Sequence, residues 1–251
     1  MDEILTMVNI ALGNGQILDC EAADSNHNGQ VTVDEILAGV YHVLTGCPTP
    51  AIPTYSISGT IRYAGSGLPV PGVVVDLTGT TTLSVETGAD GHFAFFPVGQ
   101  GNWQIQPRKT GDLGDSIDIV DAVLVLRSTV GSITLTAQQQ LAADVSGDGS
   151  VDINDAVVIL RYTVGAITHF PTAELCGSEW IFIPAPMAAP SQSVTEPLIS
   201  GGICQPGSIS FDPLSAEATS QDFEAILIGD CALDWSGVGL PAAAVGGLGE
   251  N

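Results

Sequence analysis

Residues 144–155 read DVSGDGSVDIND, and the fourteen residues that begin at Asp155 read DAVVILRYTVGAIT. Thirty-four residues earlier, beginning at Asp121, the chain reads DAVLVLRSTVGSIT, which is identical to the later copy at 10 of 14 positions. The apolar residues of each copy recur at helical spacing. The repeat therefore predicts two equivalent helices, each of which follows an acidic loop.

The loop at 144–155 has the ligand pattern of a calcium-binding loop. Oxygen-bearing side chains occupy positions 1, 3, 5, 9 and 12 of the loop, and a glycine occupies position 6. Calcium requires six to eight oxygens in a compact shell, and glycine allows the chain to reverse sharply between them. The predicted ligands are Asp144, Ser146, Asp148, the Ser150 carbonyl, Asp152 directly or through water, and Asp155.

A second loop, DSNHNGQVTVDE at residues 24–35, repeats this pattern. Valine occupies position 8 of both loops, as Val31 and Val151, and is predicted to point into the core. The alternative for either loop is an acidic turn that only caps a helix. The predicted ligands of the second loop are Asp24, Asn26, Asn28, the Gln30 carbonyl, Thr32 and Glu35.

The loop that precedes Asp121, TGDLGDSIDIVD at residues 110–121, is less complete. It lacks the glycine at position 6 and has no carboxylate at position 1. Two interpretations stay open, a vestigial loop and a shortened site with Asp112, Asp115, Asp118 and Asp121 as ligands. The sequence therefore predicts two calcium ions and allows a third.

Over residues 108–168 the repeated loop and helix resemble dockerins, the duplicated calcium-loop modules of secreted bacterial proteins. That resemblance implies bound calcium and a cohesin-like receptor as a possible partner. Type I dockerins typically carry small hydroxyl residues at loop positions 10 and 11, whereas this chain has Ile119 and Val120, then Ile153 and Asn154. This difference favours a structural use of the module. Residues 1–47 resemble an EF-hand-like pair in which the first loop is missing.

Between residues 55 and 107 the apolar period changes to two, which is typical of β-strands. Five strand-like segments begin at Tyr55, Gly72, Thr82, His92 and Asn102. Their pattern resembles the carboxypeptidase-regulatory-like and Cna B-type β-sandwich modules of surface proteins, which implies a scaffold without an active site. Five short strands leave an apolar face short of partners. Later segments that begin at Trp180, Ser208 and Phe223 are predicted to supply the missing strands.

The predicted fold is mixed and multi-module. It is an antiparallel β-sandwich of the prealbumin or Ig-like type with an inserted dockerin-like helix pair, preceded by an EF-hand-like helical segment. A separate C-terminal β-domain is the alternative. The predicted segments are 1–47 (calcium-binding helical module), 48–54 (linker), 55–107 (first part of the sandwich), 108–168 (dockerin-like module) and 169–251 (second part of the sandwich with an extended tail).

The chain is strongly acidic, with 5 Lys and Arg against 28 Asp and Glu in 251 residues and a net charge of −23. Such a charge repels nucleic acid and anionic lipid, so we expect neither nucleic-acid binding nor membrane insertion. Hydrophobic residues make up 45% of the chain, which excludes a disordered protein of low hydrophobicity.

Five cysteines lie at positions 20, 47, 176, 204 and 231, without the C-x-x-C spacing of zinc or redox sites. Disulfides are the simplest interpretation, and Cys20 and Cys47, which bracket the first calcium loop, are predicted to pair. Of the remaining three, Cys204 and Cys231 are the favoured pair. Calcium loops and disulfides together predict a secreted protein, extracellular or on the cell surface. Since no signal peptide is present, we expect the chain to be a mature or excised portion of a longer protein.

An enzyme is not expected, because no G-x-S-x-G or H-E-x-x-H motif occurs and no histidine is paired with a nucleophile. Three functional classes remain. The first is a structural subunit that assembles with copies of itself, head to tail, into a filament or surface layer. The second is an adaptor for a cohesin-like receptor. The third is an adhesin or carbohydrate-binding module with Trp103, Trp180 and Trp235 as a sugar-stacking surface, although strand tryptophans more often lie in the core.

Overall fold

A computed structural model of the chain describes residues 2–16, 20–45 and 53–237. The chain divides into two compact units, Met1–Ile52 and Pro53–Asn251. Most of the predicted linker and nearly all of the predicted extended tail lie outside the described residues.

The N-terminal unit contains α1 (Asp2–Ala11), a 3-10 turn (Glu21–Ala23) and α2 (Val33–Thr45). The predicted helix, loop and helix are therefore confirmed. The core of this unit is small, with Met7, Ala23 and Val31 buried. Several apolar residues in the two helices or directly after α1 are instead exposed, namely Leu5, Leu12, Leu37, Val43 and Leu44.

The second unit contains eleven strands among the described residues. These are β1 (Thr54–Tyr63), β2 (Val74–Thr78), β3 (Thr82–Glu86), β4 (His92–Gly99), β5 (Gly101–Arg108), β6 (Trp180–Pro184), β7 (Gln192–Thr195), β8 (Leu198–Ser200), β9 (Ile203–Gln205), β10 (Ser208–Leu214) and β11 (Phe223–Leu227). One sheet has the order β4-β1-β11-β6, a second has the order β3-β2-β5-β10-β7, and β8 and β9 form a separate hairpin.

Strands from both ends of this unit share each large sheet, since β1 pairs with β11 and β5 pairs with β10. The later strands thus complete the sheets that the earlier ones begin, and a separate C-terminal domain does not form. Both sheets contribute to one hydrophobic core, an arrangement compatible with a β-sandwich. The expectation of wholly antiparallel sheets is wrong at one pairing, because β1 and β11 are parallel. A long connection permits this pairing, whereas a tight hairpin does not.

Four helices separate β5 from β6 in the chain: α3 (Ile119–Thr129), α4 (Ala137–Ala143), α5 (Ile153–Thr163) and α6 (Pro171–Cys176). The repeated helices α3 and α5 pack against each other. Each begins with a capping box, formed by Asp118 with Asp121 in α3 and by Asp152 with Asp155 in α5. In a capping box two side chains satisfy the first free N–H groups of a helix. The repeat in the sequence therefore becomes a repeat in local structure.

The disulfide in the second unit joins Cys176 to Cys204. The predicted pairing of Cys204 with Cys231 is therefore wrong. Cys204 lies in β9 with its Cα 5.2 Å from that of Cys176 at the end of α6. Cys231 is buried in the core just after β11. The predicted pairing of Cys20 with Cys47 involves a residue outside the described ones and stays a prediction.

Candidate metal-binding loops

The loop at 144–155 is closed by carboxylates at its two ends. The Asp144 oxygens accept backbone N–H groups from Gly147 and Gly149, both at 2.9 Å. The Asp155 oxygens accept the N–H groups of Ser146 at 3.0 Å and Asp152 at 2.9 Å. Both predicted end ligands therefore lie at the loop and hold its backbone around them.

These two carboxylates are buried without a counter-ion. Asp144 is 5% exposed and Asp155 is 0% exposed. Among the described residues, neither forms an ion pair with a lysine, arginine or histidine. Burial raises the pKa of both carboxyls above the ordinary value for aspartate. Because an unpaired buried charge is costly, this set of oxygens suits a bound cation.

The loop at 24–35 has the same construction in the N-terminal unit. The Asp24 oxygens accept N–H groups from Asn28 at 3.0 Å and Gly29 at 2.7 Å. Glu35 accepts the Thr32 N–H at 2.8 Å and the Thr32 hydroxyl at 2.9 Å. Both end carboxylates are buried. The two loops therefore match in hydrogen bonding as well as in sequence.

Other positions of the two loops also have equivalent conformations and contacts. Gly29 and Gly149 have φ angles of +81° and +91°, in the left-handed region that favours glycine. Val31 is buried and Val151 packs against the core, as predicted from position 8. The remaining acidic and amide side chains each accept the N–H two residues ahead; these are Asn26, Asn28, Asp148 and Asp152.

Within residues 2–16, 20–45 and 53–237, no group of three or more histidine, cysteine, aspartate or glutamate side chains is gathered closely enough to hold a metal ion. Calcium loops also take oxygens from amides, hydroxyls and carbonyls. Calcium in the two complete loops therefore stays a prediction, which the loop pattern, the hydrogen bonds and the buried unpaired carboxylates support.

The less complete loop at 110–121 is attached to the sheets instead. Asp112 pairs with the Lys109 ammonium at 3.1 Å, and both side chains are buried. The Gly111 and Asp112 carbonyls accept the indole N–H groups of Trp180 and Trp235, at 3.0 and 2.9 Å. Asp112 Oδ1 is buried without a hydrogen-bond partner among the described residues. Lys109 thus supplies a positive charge here that the complete loops lack.

Asp121, at the end of this loop that leads into α3, is also hydrogen-bonded to a distant part of the second unit. Asp121 accepts the Asp118 N–H at 2.8 Å and the Ala232 N–H at 2.9 Å. Burial raises the pKa of Asp121 to about 7. Asp115, by contrast, is exposed. Among the described residues, Asp121 is thus buried and unpaired like Asp144 and Asp155, but the ion pair of Asp112 and the exposure of Asp115 make this loop a less complete cation site.

Apolar side chains are exposed along the repeated helices. At loop position 10, Ile119 is 62% exposed and Ile153 is 64% exposed. At the helix ends, Val130 and Val164 are each 78% exposed. Equivalent residues of the two repeats therefore present equivalent apolar surface to solvent.

The three tryptophans are buried, and their indole N–H groups donate to backbone carbonyls. They therefore do not present a sugar-stacking surface. Among the described residues, no helix is long and apolar enough to cross a membrane.

Two attachments were not anticipated from the sequence. The β8–β9 hairpin covers the loop at 144–155, and Lys109 neutralises Asp112. The hairpin contact has no local sequence signal, because it joins segments about fifty residues apart. The ion pair of Lys109 could have been expected from the sequence, because Lys109 is one of only five basic residues of the chain and adjoins the acidic loop at 110–121.

No protein-family model and no curated protein matches this sequence.

Proposed function

We propose that this chain is a non-enzymatic, secreted structural subunit of bacterial type, stabilised by calcium, that assembles head to tail into an extracellular filament or surface layer. The observation that carries the proposal is that each of its two units exposes several large apolar side chains. Large exposed apolar patches mark sites of protein interaction.

In the N-terminal unit these side chains belong to Leu5 of α1, to Leu12 directly after it, and to Leu37, Val43 and Leu44 of α2, and we take them as the first surface. In the second unit we take as the second surface the exposed apolar side chains of α3 and α5 and of their C-caps, namely Ile119, Val123, Val130, Ile153, Val157 and Val164. A contact between two different surfaces of identical chains is heterologous, and such a contact propagates into a fibre when it does not close into a ring. A head-to-tail filament requires two different surfaces of this kind on each chain.

Calcium supports the assembly by stabilising the units that carry these surfaces. Asp144, Asp155, Asp24 and Glu35 would hold an ion in each complete loop, and the ion would offset the charge that they bury. The Cys176–Cys204 disulfide supports an oxidising location, since disulfides persist mainly outside the cell.

The second candidate is an adaptor that binds a cohesin-like receptor. It is favoured by the equivalent exposure of Ile119 and Ile153 at position 10 of the two repeats. In this alternative the surface on α3 and α5 meets a receptor and not another copy of the chain.

Sedimentation velocity in millimolar calcium and again after EGTA tests the proposal. We expect large species in calcium that dissociate on chelation. Leu37→Asp with Leu44→Asp should abolish them, while Met187→Asp with Val194→Asp, which changes two exposed residues away from the calcium loops, should not. A compact monomer in both conditions would overturn the filament proposal.

The adaptor alternative then predicts calcium-dependent binding to a purified cohesin domain that is lost on changing Ile153 and Asn154 to Asp.

A further inference from the structure

The β8–β9 hairpin covers one side of the loop at 144–155. At the hairpin turn, the Gly201 N–H donates to the Asp148 carbonyl at 3.0 Å, and the Gly202 N–H donates to the Gly147 carbonyl at 3.2 Å. These bonds hold the middle of the loop, between its two end carboxylates.

The hairpin also approaches the glycine at position 6. A Cβ added to Gly149 would lie 2.9 Å from the Ser200 Cα and 3.2 Å from the Ile199 carbonyl oxygen. Gly149 is therefore required both for its left-handed backbone and for the close approach of the hairpin.

Helix α6 holds the same loop at its start. The Thr172 N–H donates to the Val145 carbonyl at 3.2 Å, and the Thr172 hydroxyl donates to the Asp144 carbonyl at 2.6 Å. A Cβ added to Gly147 would lie 3.2 Å from the Thr172 hydroxyl oxygen and 3.3 Å from a Leu175 methyl group. The loop therefore contacts α6 as well as the hairpin.

The Cys176–Cys204 disulfide joins these two elements, because Cys176 ends α6 and Cys204 lies in β9. We propose that α6, the β8–β9 hairpin and this disulfide form a clamp that preorganises the loop at 144–155, so that reducing the disulfide weakens its affinity for calcium. This inference rests on the proposed calcium site in that loop, and it assigns that site a redox dependence.

The disulfide is the covalent link that holds the hairpin in place, beside the packing of Ile199 in the core. The hairpin pairs with neither large sheet, and an isolated two-stranded hairpin is only marginally stable in water. Once the disulfide is reduced, the hairpin can leave the loop, and calcium must then order the loop as it binds. Preorganisation raises affinity by removing this cost. Both cysteines are partly exposed, so a reductant can reach them.

The chemical step is the reduction of one disulfide to two thiols by a dithiol. The dithiol supplies two electrons and two protons and is itself oxidised to a cyclic disulfide. Because coupling between sites is reciprocal, bound calcium should in turn protect the disulfide from reduction.

The loop at 24–35 provides an internal control. A Cβ added to Gly29, at the same position 6, would meet nothing within 4 Å. Its calcium affinity should therefore not depend on the Cys176–Cys204 disulfide.

Calcium titration calorimetry on the full chain tests the clamp. We call the loop at 144–155 the clamped loop and the loop at 24–35 the open loop. A variant with Asp24→Ala and Glu35→Ala reports calcium binding to the clamped loop only. A variant with Asp144→Ala and Asp155→Ala reports calcium binding to the open loop only. Cys176→Ser with Cys204→Ser should weaken binding to the clamped loop about tenfold, equal to about 1.4 kcal/mol. The same pair should change binding to the open loop less than about twofold, well below that tenfold difference. Dithiothreitol should weaken the clamped loop in the same way but add nothing once the serines are present.

The outcomes separate the two proposals. Clamped-loop binding that is equally tight with and without the disulfide would overturn the clamp and leave the calcium site standing. A clamped-loop form that binds no calcium even when oxidised would overturn both. If the serine variant fails to fold, thiol labelling of Cys176 and Cys204 in the native chain under dithiothreitol, located by peptide mapping, decides instead. Slower labelling in calcium than in EGTA supports the clamp, and equal rates overturn it.

Discussion

Replacing Asp155 by Asn should remove most of the calcium dependence of stability in the second unit. Asp155 is fully buried, accepts two backbone N–H groups across the loop at 144–155 and has no cationic partner among the described residues. Asparagine preserves the shape of the side chain but removes the charge that a calcium ion would neutralise. Because the asparagine amide can accept only one of these two N–H groups, the variant should lose some stability in EGTA and more in calcium, where the wild type gains the bound ion.

The size of the effect follows from linkage. Calcium at a hundredfold excess over Kd stabilises a folded site by about 2.7 kcal/mol. For a unit of this size, each kcal/mol shifts the Tm by roughly 2 to 4 °C. The calcium-induced rise in Tm should therefore shrink by about 5 to 11 °C in the variant.

Tryptophan fluorescence during thermal unfolding, with and without EGTA, measures this change. The indoles of Trp180 and Trp235 are bonded to the loop that leads into α3, so their emission reports on that junction. Asp121→Asn is the matched control, because Asp121 occupies the same capping position in the other repeat. It should leave the calcium-induced shift intact. If Asp155→Asn keeps the full calcium-induced rise in Tm, the proposed calcium site at 144–155 is refuted. If Asp121→Asn loses as much of that rise as Asp155→Asn does, the loop at 110–121 is a third site.

Three further predictions concern buried charges in the second unit. The native state holds a proton on Asp121 up to about pH 7, whereas the unfolded chain releases it near pH 4, so the calcium-free stability should fall as pH rises across that interval. Urea unfolding in EGTA at several pH values should show that Asp121→Asn reduces the slope by at most about 1.4 kcal/mol per pH unit, while buried Asp144 and Asp155 contribute to the slope that remains; an unchanged slope would contradict the assignment. Tyr63→Phe removes the hydroxyl that donates a hydrogen bond to buried Asp230, and it should lower the free energy of unfolding in urea by about 1 to 3 kcal/mol. An unchanged free energy of unfolding would contradict this hydrogen bond. Lys109→Met leaves the Asp112 carboxylate buried without a cation and should cost about 3 to 5 kcal/mol, part of which Asp112→Asn should restore in the double variant.

The strands were predictable because their signal is local. Segments beginning at Tyr55, His92 and Phe223 alternate or run apolar over a few residues, and the strands form there. The edge strand β7 was missed, because its residues are partly exposed and carry no apolar alternation. Helix α4 was missed as well, although Thr136 and Gln139 form a capping box at its start. That motif was a usable sequence signal.

What the sequence determined by itself was the local chemistry: two twelve-residue loops with oxygens at the calcium spacing, a repeated helix, and strands of period two. Each of these depends on residues a few positions apart, so spacing alone specifies it. Only the tertiary structure decided that Cys204 bonds to Cys176, that β1 lies parallel to β11, and that a hairpin closes over the loop at 144–155. These features depend on which distant segments share one core, and chain entropy lets many pairings compete until packing selects one.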